Sequence, residues 1–233
     1  MKILKKCVLG VSTLGVALSL AACNDQEGSQ SGNNKGYTLS DILNSKEKHQ
    51  IVVTDERSDN EEGHVVWAGF IGKGELDAIY LDGTEYDYGY KDLKGQSNKD
   101  FKQNLTDMGS DYEGKSKSTF TNAKAETKLY TNLDDYNVHN NDKLTDVVGL
   151  NAEFKDNDRF KYGSGLTHSV SRPGYNKVRI EPNKKWITYT SGGISARTDD
   201  YQMHIKMGEN KMGPKLENVE DTIKKYDNAK EEK

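Results

Sequence analysis

From Tyr37 onward the chain sets short apolar runs between polar turns, and the period of most runs is two, the spacing of a strand with one face on a core. Leu39, Ile42 and Leu43 are the early exception. Their i, i+3, i+4 spacing predicts a short helix that Thr38 or Ser40 can cap. Strand signals then dominate: Gln50 to Thr54 (QIVVT), His64 to Ile71 (HVVWAGFI) and Glu75 to Asp82 (ELDAIYLD), with an acidic loop from Asp55 to Gly63 and a Gly72-Lys73-Gly74 turn between them. These read as an antiparallel meander. Tyr86, Tyr88 and Tyr90 extend it at period two, and Asn98 to Met108 reads as a helix with Phe101, Leu105 and Met108 on one face.

The Gly-, Ser- and Lys-rich stretch from Gly109 to Ser118 suggests a boundary between two halves. Beyond it, strands are expected at Thr119 to Asn122, Glu126 to Thr131, Val147 to Phe154, Arg159 to Tyr162, Lys177 to Glu181, Lys185 to Thr190 and Tyr201 to Met207. Glu181-Pro182-Asn183-Lys184 is a hairpin loop by composition. After Pro214, Leu216, Val219, Ile223 and Tyr226 recur at helical spacing. Glu217, Glu220 and Asp221 come early and Lys224, Lys225 and Lys230 late, the order a helix dipole favours. The expected fold is α+β, mainly antiparallel sheet with a few short helices and a C-terminal helix.

The amino-terminal residues follow a different pattern. Lys2, Lys5 and Lys6 precede an uncharged apolar run from Val8 to Leu20, then small residues and Cys23. Those 13 residues are too few for a spanning helix, which needs roughly 20. The quartet Leu20-Ala21-Ala22-Cys23 resembles the lipobox of bacterial lipoproteins. That resemblance implies cleavage between Ala22 and Cys23, a diacylglyceryl thioether on Cys23, and a new amino terminus that can also receive a fatty acyl chain such as palmitate. Two chains anchor stably where one is marginal. The expected address is the extracytoplasmic face of a cell membrane, with the membrane itself as first partner.

The expected organisation is therefore a signal peptide (1–22), a lipidated cysteine with flexible tether (23–36), an N-terminal α+β subdomain (37–110) and a β-rich C-terminal subdomain with the terminal helix (111–233). Asn24 to Gly36 holds no apolar residue. As a coil it spans about 20 Å, and stretched about 45 Å, so the folded part is expected close to the membrane.

Charge narrows the partners. Residues 1–22 carry three lysines and no acid, leaving 30 basic against 37 acidic side chains, a balance of −7. That sign argues against nucleic acid and against a polybasic membrane grip. With Cys23 lipidated and Cys7 in the discarded signal, no thiol remains for a disulfide, metal or nucleophile. Lysine outnumbers arginine 28 to 5, a bias that fits an AT-rich genome.

Catalytic signatures are few. Ser45-Lys46-Glu47-Lys48 has the Ser-x-x-Lys spacing without its companion motifs, and is read as chance. Gly69, Gly72 and Gly74 suit a hairpin and not a dinucleotide loop. His49, His64, His139, His168 and His204 form no metal-ligand spacing, and Asp134-Asp135 and Asp156 with Asp158 are read as solvated turn formers before calcium ligands. No catalytic residue, metal site or cofactor is expected, and no carboxylate pair of a glycosidase can be nominated. The loops Asp134 to Lys143 and Gly163 to Gly174 are candidate functional segments. The one positive site signal is the tyrosine face of Tyr86, Tyr88 and Tyr90, a platform for sugars or a partner surface if exposed and a core face if not.

From Tyr37 to Met108 the order of elements, ending in YKDLKGQSNKDFKQNL, resembles surface lipoproteins of low-GC Gram-positive bacteria. That resemblance implies no activity and no site residue. The leading expectation is a non-enzymatic module binding a protein or envelope component near the membrane. An envelope hydrolase acting on cell-wall material is the alternative. A solute-binding receptor is the weaker one, because the chain lacks βαβ alternation.

Overall fold

Thr38 starts the first helix by bonding reciprocally with Asp41: its Oγ1 accepts the Asp41 N–H at 3.1 Å, and the Asp41 carboxylate accepts the Thr38 N–H at 2.8 Å. The computed structural model describes residues 36–55, 63–81, 89–110, 118–130, 147–152, 154, 177–181, 185–190, 201–208 and 213–232. Its elements run β1 (Gly36–Tyr37), α1 (Leu39–Leu43), β2 (His49–Asp55), β3 (His64–Gly72), β4 (Glu75–Tyr80), α2 (Tyr90–Leu93), α3 (Asn98–Ser110) and β5 (Thr121–Tyr130). They continue with β6 (Val147–Ala152), β7 (Lys177–Ile180), β8 (Trp186–Thr190), β9 (Tyr201–Lys206), β10 (Gly213–Pro214), α4 (Val219–Lys225) and β11 (Ala229–Glu232).

Nine of these strands form one curled, mostly antiparallel sheet in the order β11-β5-β4-β3-β2-β9-β8-β7, with β6 pairing β5 as well. The α+β class with a C-terminal helix is as expected. The β2–β9 and β4–β5 pairings carry the sheet across residue 110, so the expected halves share one sheet, and Lys35–Lys233 forms one compact unit. The Gly72-Lys73-Gly74 turn is a two-residue hairpin of type I′ geometry: Lys73 and Gly74 have φ of 62° and 70°, the left-handed values such a turn demands. Gly69 lets β3 and β4 approach, since a Cβ there would lie 2.0 Å from the Asp77 carbonyl oxygen.

Period two divides the sheet into two faces. Ile51, Val53, Ile187, Tyr189, Met203 and Ile205 point to one, which α1 covers with Leu39, Ile42 and Leu43. Val52, Ala68, Phe70 and Ile79 point to the other, covered by Phe101, Leu105 and Met108 of α3 as the helical spacing predicts. Gln50 and Lys206 tie the loop between α2 and α3 to the sheet. Gln50 Nε2 donates to the Gln96 carbonyl (3.2 Å) and Asn98 Oδ1 (2.9 Å), and Lys206 Nζ donates to the same carbonyl.

Several expectations change. Tyr90 does not continue the meander as a strand residue; it opens α2, where Asp92 accepts the Gly89 N–H and starts a helical turn. β5 runs from Thr121 to Tyr130 and bridges the gap expected between the strands at 119–122 and 126–131, because Ala123 and Ala125 are inward positions kept small beneath α1 and its neighbours. The C-terminal helix ends at Lys225, Ile223 is exposed on it, and Lys230 lies in β11, paired in parallel with β5. The two-residue parallel pair β1–β10 also has no sequence signal. The expected strand at 159–162 lies outside the described residues.

Candidate functional site

Two polar assemblies stand out, one sealed and one open. The sealed one gathers around Glu181, just after β7. Its Oε1 accepts from Tyr90 Oη (2.9 Å), Thr188 Oγ1 (2.9 Å) and His204 Nδ1 (3.2 Å), and its Oε2 accepts from Lys94 Nζ (2.7 Å). Burial alone raises a carboxylate's pKa, but the bonds from His204, Lys94, Tyr90 and Thr188 outweigh it and bring Glu181 down to about 2. His204 moves below its ordinary value, with burial the largest cause, against the pull of Glu181. A neutral imidazole with Nδ1–H on Glu181 leaves Nε2 as acceptor, and Thr54 Oγ1 lies 3.2 Å from it.

Carboxylate, imidazole and hydroxyl in that order match the logic of a hydrolytic triad. Access decides against that role. Thr54 is 1% exposed, His204 5% and Glu181 6%, and the Tyr90 ring stacks flat on the imidazole. No substrate atom reaches the Thr54 hydroxyl; the network instead clamps α2 onto β2, β8 and β9.

The open assembly lies on β5, β6 and β11. Along β5, odd positions Ala123, Ala125, Thr127 and Leu129 face inward, so Asn122, Lys124, Glu126, Lys128 and Tyr130 share the outer face. Asn151 of β6 lies directly opposite Glu126, while Asn228 and Lys230 approach from the other side. They wall a groove of about 680 Å³, within the usual range of roughly 300–1,000 Å³ for ligand sites. Its formal charges nearly cancel, Lys124 and Lys230 against Glu126 and Asp227: Lys230 pairs with Glu126 Oε2, Asn151 Nδ2 donates to Glu126 Oε1 (2.9 Å), and Lys124 pairs with Glu75 at 3.2 Å. Burial raises the Glu126 pKa, but Lys230 and Asn151 outweigh it, so the group is a carboxylate. On the same outer face the Tyr130 ring lies across Gly149, where a Cβ would meet it at 3.2 Å.

The candidates read from the sequence fare unequally. Ala22, Cys23, Tyr86, Tyr88, His139, His168, Asp134, Asp135, Asp156 and Asp158, with both candidate loops and the tether up to residue 35, lie outside the described residues, and Gly36, the last residue expected in the tether, instead belongs to β1 and pairs with Gly213. Tyr90 is 5% exposed and packs edge-on to Trp186 at 5.3 Å, so this member of the tyrosine face is a core residue. Ser45 and His49 come together: Ser45 Oγ is 3.0 Å from His49 Nε2 and also donates to the Glu47 carbonyl at 2.5 Å. Burial is the largest cause lowering the His49 pKa. Among the described residues, no group of three or more His, Cys, Asp or Glu is placed to hold a metal ion.

Sequence reasoning did not single out Glu181, Glu126 or Glu217. Nothing local marks them, because each gains its character from strands or helices far away in the chain. Comparison with family models, curated proteins and solved structures finds no match.

Proposed function

We propose that this protein is a lipid-anchored extracytoplasmic binding module, held to the membrane through Cys23, whose groove over β5 takes an uncharged, hydroxyl-rich component of the cell envelope such as a wall glycan. The groove carries the reading. Because Lys124 and Lys230 offset Glu126 and Asp227 in its lining, it has little net charge left for an ionic ligand. Its carboxamides suit hydroxyl groups, and Tyr130 farther along the same face of β5 suits the apolar face of a sugar ring. Glu126 has both oxygens engaged, which leaves it poorly placed for acid–base chemistry. The lipobox resemblance supplies the address. No helix among the described residues is long and apolar enough to cross a membrane.

Calorimetric titration of the protein with soluble wall-glycan fragments tests the reading. Binding that Asn151→Ala weakens supports it. No heat and no thermal shift across the fragments, with a cooperative melt proving the fold intact, sinks it and leaves a protein partner as the next candidate. A second reading, an envelope hydrolase, has one observation in its favour, the Ser45–His49 contact.

A further inference from the structure

The segment from Gly213 to Glu232 runs through β10, α4 and β11 and is fastened to α1 at three points. Ser40 N–H donates to Glu217 Oε1 at 2.8 Å, while Lys225 Nζ (2.8 Å) and Tyr226 Oη (2.6 Å) both reach Asp41 Oδ1. The same segment forms one wall of the groove. Asn228 receives Asn44 Nδ2 at 2.9 Å and donates to the Ala125 carbonyl at 3.1 Å, and Lys230 pairs with Glu126.

Of these fasteners, Glu217 is the unusual one. It is 2% exposed, and Oε2 has no hydrogen-bond partner among the described residues. The titratable groups that act on it are Asp41 from α1 and Tyr189 from β8. Lys225 and Tyr226 of α4 are engaged by Asp41, and Lys225 is held above its ordinary value by that bond. The charge that acts on the carboxyl is therefore the negative one of Asp41, and no cation among the described residues pairs with it. A buried carboxylate with one open oxygen beside a second carboxylate is costlier than the neutral protonated acid at the same place. Burial is accordingly the main cause raising the group to about 7, against the lowering effect of Ser40.

We infer that Glu217 is a proton-operated latch: protonated, it holds the C-terminal segment on α1, and ionised, it loosens that segment and with it the β11 wall of the groove. The latch itself stands on the α1 contacts, while its consequence for ligand binding rests on the groove reading above. The direction follows from linkage. The closed form keeps the proton up to about pH 7, whereas in the opened segment the carboxyl titrates near its ordinary 4.5. Opening therefore becomes easier as pH rises from about 4.5 to 7 and levels off above that. Between pH 5 and pH 7.5 the opening equilibrium gains roughly fiftyfold, because opening becomes about tenfold easier for each pH step between the two titration points.

Amide hydrogen exchange on the full chain without ligand, corrected for the intrinsic pH dependence of exchange, reads this directly. The expected result is that amides of α4 and β11 lose about fiftyfold in protection from pH 5 to pH 7.5, while those of β2 and β3 keep theirs. Glu217→Gln retains an acceptor for Ser40 N–H without the charge and should hold α4 and β11 equally protected at both pH values. Glu217→Leu, which has no titratable group, should be equally flat if the amide variant folds poorly. A flat wild-type profile overturns the latch, as do a pH dependence the variants share and a loss of protection spread over the whole sheet. Because no ligand is present, such a failure leaves the groove reading to its own titration.

Discussion

The phenol ring of Tyr90 lies flat on the imidazole of His204, 3.9 Å between centroids and 17° between planes, while its hydroxyl donates to Glu181. One side chain thus both covers the polar network and completes it. Tyr90→Phe keeps the stack and removes one donor from a buried carboxylate, so it should cost about 1–3 kcal/mol in a denaturant melt. The loss should also ease as pH falls. Glu181 has its pKa lowered to about 2, so its contribution is present above its ordinary 4.5 and disappears as pH drops towards 2. Wild type and Tyr90→Phe should therefore converge in stability on the acid side; a difference constant from pH 7 to pH 2 would show that the hydroxyl does not act through Glu181.

Glu217 has the opposite sign. With its pKa raised to about 7 in the fold, it favours the folded state fully below 4.5 and loses that contribution as pH rises through 7. Glu217→Gln should melt higher than wild type at pH 7.5, by at most about 3 kcal/mol, and should lose the advantage at pH 4. Thermal melts at the two pH values settle the matter.

In the groove, Asn151→Ala removes the donor to Glu126 and one carboxamide wall at a half-buried position. Affinity for a glycan fragment should fall about tenfold, and the melting midpoint should move by no more than the roughly 0.5 kcal/mol of a surface change. Because the charges of the lining nearly cancel, the affinity should hardly respond to raising salt from about 50 to about 500 mM. A steep salt dependence would point to an ionic ligand instead.

Ser45 offers a check on the hydrolase alternative. Its hydroxyl lies near His49 but also donates to the Glu47 carbonyl, closing its own turn. A serine-directed fluorophosphonate should leave the protein unlabelled, and Ser45→Ala should bind glycan like wild type. Labelling lost in both Ser45→Ala and His49→Ala would revive the enzyme.

Cys23 can be tested in the producing cell. Cys23→Ser should move the protein from the membrane fraction to the medium or soluble fraction and abolish incorporation of labelled palmitate. Retention at the membrane in the serine variant would transfer the anchor to another part of the chain.

Where a single stretch of chain carries its own reason to fold, the sequence was sufficient. Leu39, Ile42 and Leu43 with the Thr38 cap, the β-branched run of β2, the glycine turn between β3 and β4, and the Phe101, Leu105, Met108 stripe are local patterns, and each became the element it predicts. Tyr90 was misleading because period two among tyrosines says nothing of Asp92, whose bond to Gly89 turns the chain into a helix. β11, Ala-Lys-Glu-Glu, has no apolar alternation at all, and is a strand because β5 offers it backbone partners from Thr127 to Tyr130. Only the tertiary structure could make Glu181 a strong acid, Glu217 a weak one, and Asn122, Glu126, Asn151 and Lys230 a groove. Burial and hydrogen-bond partners belong to a place in the fold, and residues up to 185 positions apart meet there.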